Sequence, residues 1–213
     1  MLHCQRKTYA SRSDVNKVQS LAMTQLANGL SANGYPDQAL QIYRAKYDLD
    51  SRLDTDEQNM LITRGNIANC FFLQGQYAEG VAERRKIYER HVVLSGIEDK
   101  DTLREALNLA TNLMTCRRFD EARSLLREPS NVAVRALGAD NELTLRIRNQ
   151  YAMMIHVSQS KDSPGARKLC AEAVEIVADV HKRVKRIYGK FPDWILEENL
   201  GALRERMAKW ADE

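Results

Sequence analysis

Gly75-Gln76-Tyr77-Ala78-Glu79-Gly80 and Arg117-Arg118-Phe119-Asp120-Glu121-Ala122 decide the fold, because the second stretch repeats the first 42 residues on. The same offset carries Asn66 to Asn108 to Gln150, Ile67-Ala68 to Leu109-Ala110 to Tyr151-Ala152, and Thr102-Leu103 to Thr144-Leu145. It also carries Ser95-Gly96 to Leu137-Gly138. One step upstream, Leu26-Ala27 and Gly34-Tyr35-Pro36-Asp37-Gln38-Ala39 recur with an offset of 41. A fixed period in this range marks a chain built of stacked supersecondary units, none of which buries its apolar face alone.

Each unit reads as two helices. Leu103, Leu107, Ala110 and Leu113 step by 4, 3 and 3, a single apolar stripe at helical spacing. Asn33-Gly34 ends the first helix of the first unit, and Pro36 sits in the first turn of the next, where a missing N–H costs nothing. Gly96 and Gly138 fall at the ends of second helices, as left-handed caps. Asp101-Thr102 and Asn141-Glu142 supply N-cap chemistry. Ala27, Ala68, Ala110 and Ala152 on first helices, and Ala39, Gly80 and Ala122 on second helices, mark close approach within each pair.

Units are expected at about 14–55, 56–97, 98–139 and 140–190 in one domain, 14–213, after a loose N-terminus, 1–13. The fourth unit holds about nine extra residues around Ser160–Gly165. Pro129 is expected to kink or interrupt a second helix, with Ser130-Asn131 restarting it. Leu196, Leu200, Leu203, Met207 and Trp210 form a one-sided stripe, which predicts a capping helix over 192–211.

Composition agrees with a helical reading. Of 213 residues only 10 are glycine and 4 proline, too few for a turn-rich all-β chain. The net charge of +3 comes from interleaved signs and has no concentrated basic face of the kind nucleic-acid-binding domains carry. No apolar run approaches the roughly 18 residues of a membrane span, and the N-terminus lacks the apolar core of a secretory signal. Cys4, Cys70, Cys116 and Cys170 are far apart, which fits reduced thiols and a cytoplasmic protein better than a secreted disulfide framework.

Asn66-Ile67-Ala68, Gly75-Gln76-Tyr77-Ala78-Glu79-Gly80, Arg135-Ala136-Leu137-Gly138 and Thr144-Leu145 resemble the tetratricopeptide repeat in its 42-residue, kinesin-light-chain-like form. The resemblance spans about residues 14–190. The family's His-Pro before Thr-Leu is missing, with Lys100-Asp101 and Glu142-Leu143 in its place, and no heptad region joins the chain to a motor. The resemblance implies an all-α fold, a right-handed α-solenoid of about four helix pairs plus a capping helix. It further implies that first helices line a concave surface where side-chain amides hold an extended peptide. The matching column is Gln25, Asn66, Asn108 and Gln150, with Asn28 and Asn69 one turn on. An amide suits the task because it offers a peptide group both a donor and an acceptor. Arg104 and Arg146 lie on the same helices and could pair with acidic or phosphorylated ligands, as could Arg64 and Arg148.

The expected function is a non-enzymatic interaction scaffold or adaptor for a protein or peptide partner, with no cofactor, metal or membrane contact. Nucleotide-binding, nucleophile-elbow and zinc-protease motifs are all missing from the sequence, and no histidine has a partner at metal or triad spacing. His3-Cys4 is the one adjacent His–Cys pair. The alternatives are RNA or acidic-ligand binding through the basic segment 182–190, a place as the non-catalytic repeat region of a larger protein, or self-association through an exposed end of the array.

Overall fold

The computed structural model describes residues 12–158 and 165–195, and residues 201, 202, 204 and 205. Eight α-helices are found among them: α1 (Arg12–Ala32), α2 (Pro36–Arg52), α3 (Glu57–Leu73), α4 (Tyr77–Ser95), α5 (Lys100–Thr115), α6 (Phe119–Leu137), α7 (Glu142–Ser158) and α8 (Ala166–Tyr188). They fall into two compact units that divide within α4, one ending at Ile87 and the other starting at Tyr88. In the first, α2 packs on both α1 and α3. In the second, successive helices pack on one another from α5 to α8, and α5 also touches α7.

The turn inside each of the first three repeats is the same device. Tyr35 N–H reaches Leu30 O at 2.9 Å, Gln76 N–H reaches Phe71 O at 2.8 Å, and Arg118 N–H reaches Leu113 O at 2.9 Å. Each closes a Schellman motif, which needs a left-handed residue just past the helix end. Gly34 (φ 83) and Gly75 (φ 75) supply it in the first unit, but the third repeat uses Arg117 at φ 58. That substitution costs roughly 1–2 kcal/mol of backbone strain and shows that the turn is imposed by packing.

Helices α3, α5 and α7 start on side-chain caps, with one correction. The cap of α5 is Asp99, not Asp101-Thr102: Asp99 Oδ1 accepts from Asp101 N–H at 2.9 Å and Thr102 N–H at 3.0 Å. The helix therefore begins earlier than expected, and Thr102 turns inward, fully buried. Asn141 caps α7 through Leu143 N–H at 2.9 Å. Gly138 and Gly189 end α6 and α8 with positive φ.

Pro129 does not interrupt α6, which runs unbroken through Leu137. Proline removes one backbone hydrogen bond. Leu126 on one side and Val132 and Ala133 on the other are buried, so packing holds both halves of the helix in register across the gap. The residues before Arg12, the insertion at 159–164 and most of the expected capping helix lie outside the described residues. Before that region, Ile195 N–H closes a turn on Pro192 O at 2.9 Å, and Ile195 packs against Leu145, Val180 and Val184.

Close approach within each pair rests on small residues. Ala27, Ala39, Ala68, Ala110, Ala122, Ala152 and Ala173 are all fully buried. At Gly80 a Cβ would come within 2.4 Å of the Phe72 ring, so glycine opens the space that ring fills. Ala110→Leu is expected to destabilise the protein by roughly 1–3 kcal/mol through overpacking. Urea unfolding monitored by circular dichroism checks this, and an unchanged midpoint would refute the packing register.

Candidate functional site

Two of the first-helix amides, Asn28 and Asn69, are held by second helices. Tyr43 Oη on α2 donates to Asn28 Oδ1 on α1. One repeat on, the chemistry of the donor changes but its place does not. Arg84 on α4 donates to Asn69 Oδ1 on α3, and 43 to 84 and 28 to 69 are both 41 residues. Arg84 is 4% exposed and also donates to Gly65 O at 3.1 Å. With the oxygens of Asn28 and Asn69 held, their Nδ2 groups remain as donors for an incoming carbonyl. Burial, and the neighbouring Cys70, push the Tyr43 hydroxyl up to about 12, so it stays a donor throughout the physiological range. The third repeat drops the device: its equivalents are Thr111, bonded to Leu107 O at 2.9 Å, and the buried apolar Leu126.

Two hollows open on the first-helix side of the first unit. One, of about 470 Å³, is lined by Asn28, Asn66, Asn69, Tyr43 and Leu73. The other, about 860 Å³, shares Asn66 and is lined further by Leu21, Lys46, Asp50, Leu53 and Ile62. Gln25 is exposed and lines neither.

Sequence reasoning missed the floor of the larger hollow. Lys46 (8% exposed) forms a salt bridge with Asp50 (2% exposed), and its Nζ donates to Thr63 Oγ1 at 2.9 Å. Ser20 Oγ donates to Asp50 Oδ1 at 3.0 Å. The signal was available: Ala39, Tyr43, Lys46 and Asp50 step by 4, 3 and 4, which puts two charged residues on the buried stripe of α2.

The second unit has its own hollow, about 350 Å³, which brings together Arg104, Asn108 and Arg146 with Lys100 and Glu142. Asn108 Nδ2 donates to Glu105 Oε1 at 3.0 Å. Arg104 pairs with Asp101, and Arg146 with Glu142 at 3.7 Å. These exposed pairs between residues one turn apart are each worth only about a few tenths of a kcal/mol, so a ligand carboxylate or phosphate can displace them. Gln150 is half-buried against Met114 and does not line this hollow.

The basic segment is divided by its own contacts. His181 is buried against Phe191, and Val184 belongs to the core. Arg183 donates to Asp140 and Asp179, both at 2.8 Å, and Arg186 to Asp140 at 2.6 Å. Lys182, Lys185 and Lys190 are left exposed. Burial alone would raise the Asp179 carboxyl, but hydrogen bonds and charge from Arg148 and Arg183 outweigh it and hold the group below its ordinary value. Among the described residues no cluster of three or more His, Cys, Asp and Glu could hold a metal, and no helix is long and apolar enough to cross a membrane. His3-Cys4 lies outside the described residues.

Known structures share the fold of this chain. A Podosopora anserina protein built of nearly identical kinesin-light-chain TPR-like repeats superposes over 91% of this chain and 93% of its own, with a TM-score of 0.66 at 16% identity. The chain has a TPR-like fold. A variant of the same Podosopora anserina repeats gives a TM-score of 0.63 at 15% identity, covering 95% of this chain and 97% of that one. BtubC (BKLC) from P. vanneervenii also gives 0.63 at 15% identity, over 94% of this chain and 83% of its own. No family profile and no curated protein matches the sequence.

The buried charges can be tested through stability. Lys46→Met strands Asp50 and is expected to cost about 3–5 kcal/mol, whereas Ser20→Leu/Lys46→Val/Asp50→Val should recover most of the loss. Urea unfolding distinguishes these outcomes. For Asp179, a folded pKa below the unfolded one means stability that is present above the ordinary value of 3.8 and lost as pH falls from there through the lowered folded value. Asp179→Asn should therefore melt below wild type at neutral pH, with the two melting curves converging on acidification.

Proposed function

We propose that this chain is a non-enzymatic interaction module that binds a protein partner through peptide segments laid on its first helices. The observation that carries the reading is that Asn66 and Asn108, equivalent residues of successive repeats, each line a hollow on first helices, one in each unit. An amide in each hollow suits the peptide groups of an extended ligand, which present a donor and an acceptor at every residue. In the second unit Lys100, Arg104 and Arg146 suit an acidic or phosphorylated side chain of the partner. Binding by repetition along a stacked array needs no catalytic group, which agrees with the lack of catalytic motifs in the sequence.

Nucleic-acid binding through 182–190 has less support. Arg183 and Arg186 are occupied by Asp140 and Asp179, so the segment offers scattered lysines and no concentrated basic face.

A pull-down with the Asn66→Ala/Asn108→Ala variant beside wild type, read by mass spectrometry with and without nuclease, tests the reading. With both proteins melting at the same temperature, the variant is expected to lose at least tenfold of the specifically bound partner. Partners retained by the variant but released by nuclease would overturn it.

A further inference from the structure

The first repeat breaks a rule that the third and fourth keep. In the fourth, Leu145, Val180 and Val184 close one layer of core. Residues equivalent to Leu145 are Leu103, Leu61 and, in the first repeat, Ser20. Counting back through the second helices, Val180 corresponds to Pro129, Ile87 and Lys46, and Val184 to Ala133, His91 and Asp50. An apolar layer has thus become a buried ion pair with a serine on its carboxylate, and this layer floors the 860 Å³ hollow. A hollow of this size is within the range of ligand sites.

We propose that this hollow takes a lysine or arginine side chain of the bound peptide, an inference that rests on the peptide-binding reading above. Its charges favour a cation. The Lys46–Asp50 pair cancels, closed by Thr63 and Ser20, which leaves Asp54 and Asp56 lining the hollow against Lys17. The C-terminus of α2 ends at the same place: Asp54 stands at φ 51, and Thr55 N–H returns to Asp50 O at 3.0 Å. A helix C-terminus carries partial negative charge and adds to the attraction. Asp56 spends Oδ2 on the Gln58 N–H at the start of α3, leaving Oδ1 to face a ligand.

The walls fit the rest of such a side chain. Leu21 and Ile62 are each 61% exposed, and Leu53 joins them at the hollow. A basic side chain lays its methylene stem on apolar surface of this kind while its head stays among polar groups. A glutamate would be repelled by the exposed Asp54 and Asp56 carboxylates, and a leucine would cover them without offering a hydrogen bond. The second unit has the opposite preference written at the same position: the equivalents of Leu21 and Ile62 are Arg104 and Arg146.

The experiment is an NMR titration of the ¹⁵N-labelled full chain with three capped heptapeptides, Ac-AALRLAA-NH2 and its Arg→Glu and Arg→Leu forms. The arginine peptide is expected to shift the amides of Asp54, Thr55, Asn59 and Ile62, with a Kd at least tenfold below that of the glutamate peptide. Asp54→Asn/Asp56→Asn should abolish that difference. Asparagine tolerates positive φ and caps helices as well as aspartate, so this variant should fold. Ile62→Arg, at an exposed position, should reverse the preference toward the glutamate peptide. Equal binding of the arginine and glutamate peptides, or shifts confined to residues such as Asn108, would overturn this inference while leaving peptide binding intact. No first-helix amide moving with any peptide would overturn both.

Discussion

Close packing of the two helices within each repeat is the constraint on which everything else depends. Alanine or glycine at one place on each partner lets backbones approach until no other side chain fits, as the Phe72 ring beside Gly80 shows. That approach fixes the rotation of each helix about its own axis, and with it which residues face inward and which line the first-helix surface. The left-handed turn arises from the same demand. Schellman turns join the two helices in the first three repeats, and the third adopts this geometry even with Arg117 in the strained position.

Once rotation is fixed, second helices gain a functional reach. Tyr43 and Arg84 reach across to hold Asn28 and Asn69, so the first-helix surface is set partly by second-helix residues. The donors differ in kind, a phenol in one repeat and a guanidinium in the next, while their position is the same. Variation of this sort is what a repeat permits. Each layer must be filled and its polar groups satisfied, but the filling need not be apolar.

Much of the fold was legible in the chain. A 42-residue period, helical apolar stripes and glycine ends placed the helix pairs and their turns, because these are local rules that act within a few residues. Local rules failed where packing competes with them. Asp99 took the cap expected of Asp101-Thr102 because Thr102 goes into the core, and α6 continued through Pro129 because buried residues on both sides hold it. The amide column was readable as a pattern, but its grouping was not: Asn28, Asn66 and Asn69 share one hollow, while Gln25 stands outside it and Gln150 packs on Met114.

The charged layer under the larger hollow shows the same division most clearly. By itself the sequence determined that Lys46 and Asp50 share a helical stripe with Ala39 and Tyr43, since spacing along one helix is a matter of about 3.6 residues per turn. Only the tertiary structure decided that this stripe is buried, that Ser20 and Thr63 from two other helices complete its hydrogen bonds, and that a cavity opens above it. Those partners lie 30 and 17 residues away from the groups they satisfy. Contacts over such separations exist only once the helices have packed, so no local pattern announces them.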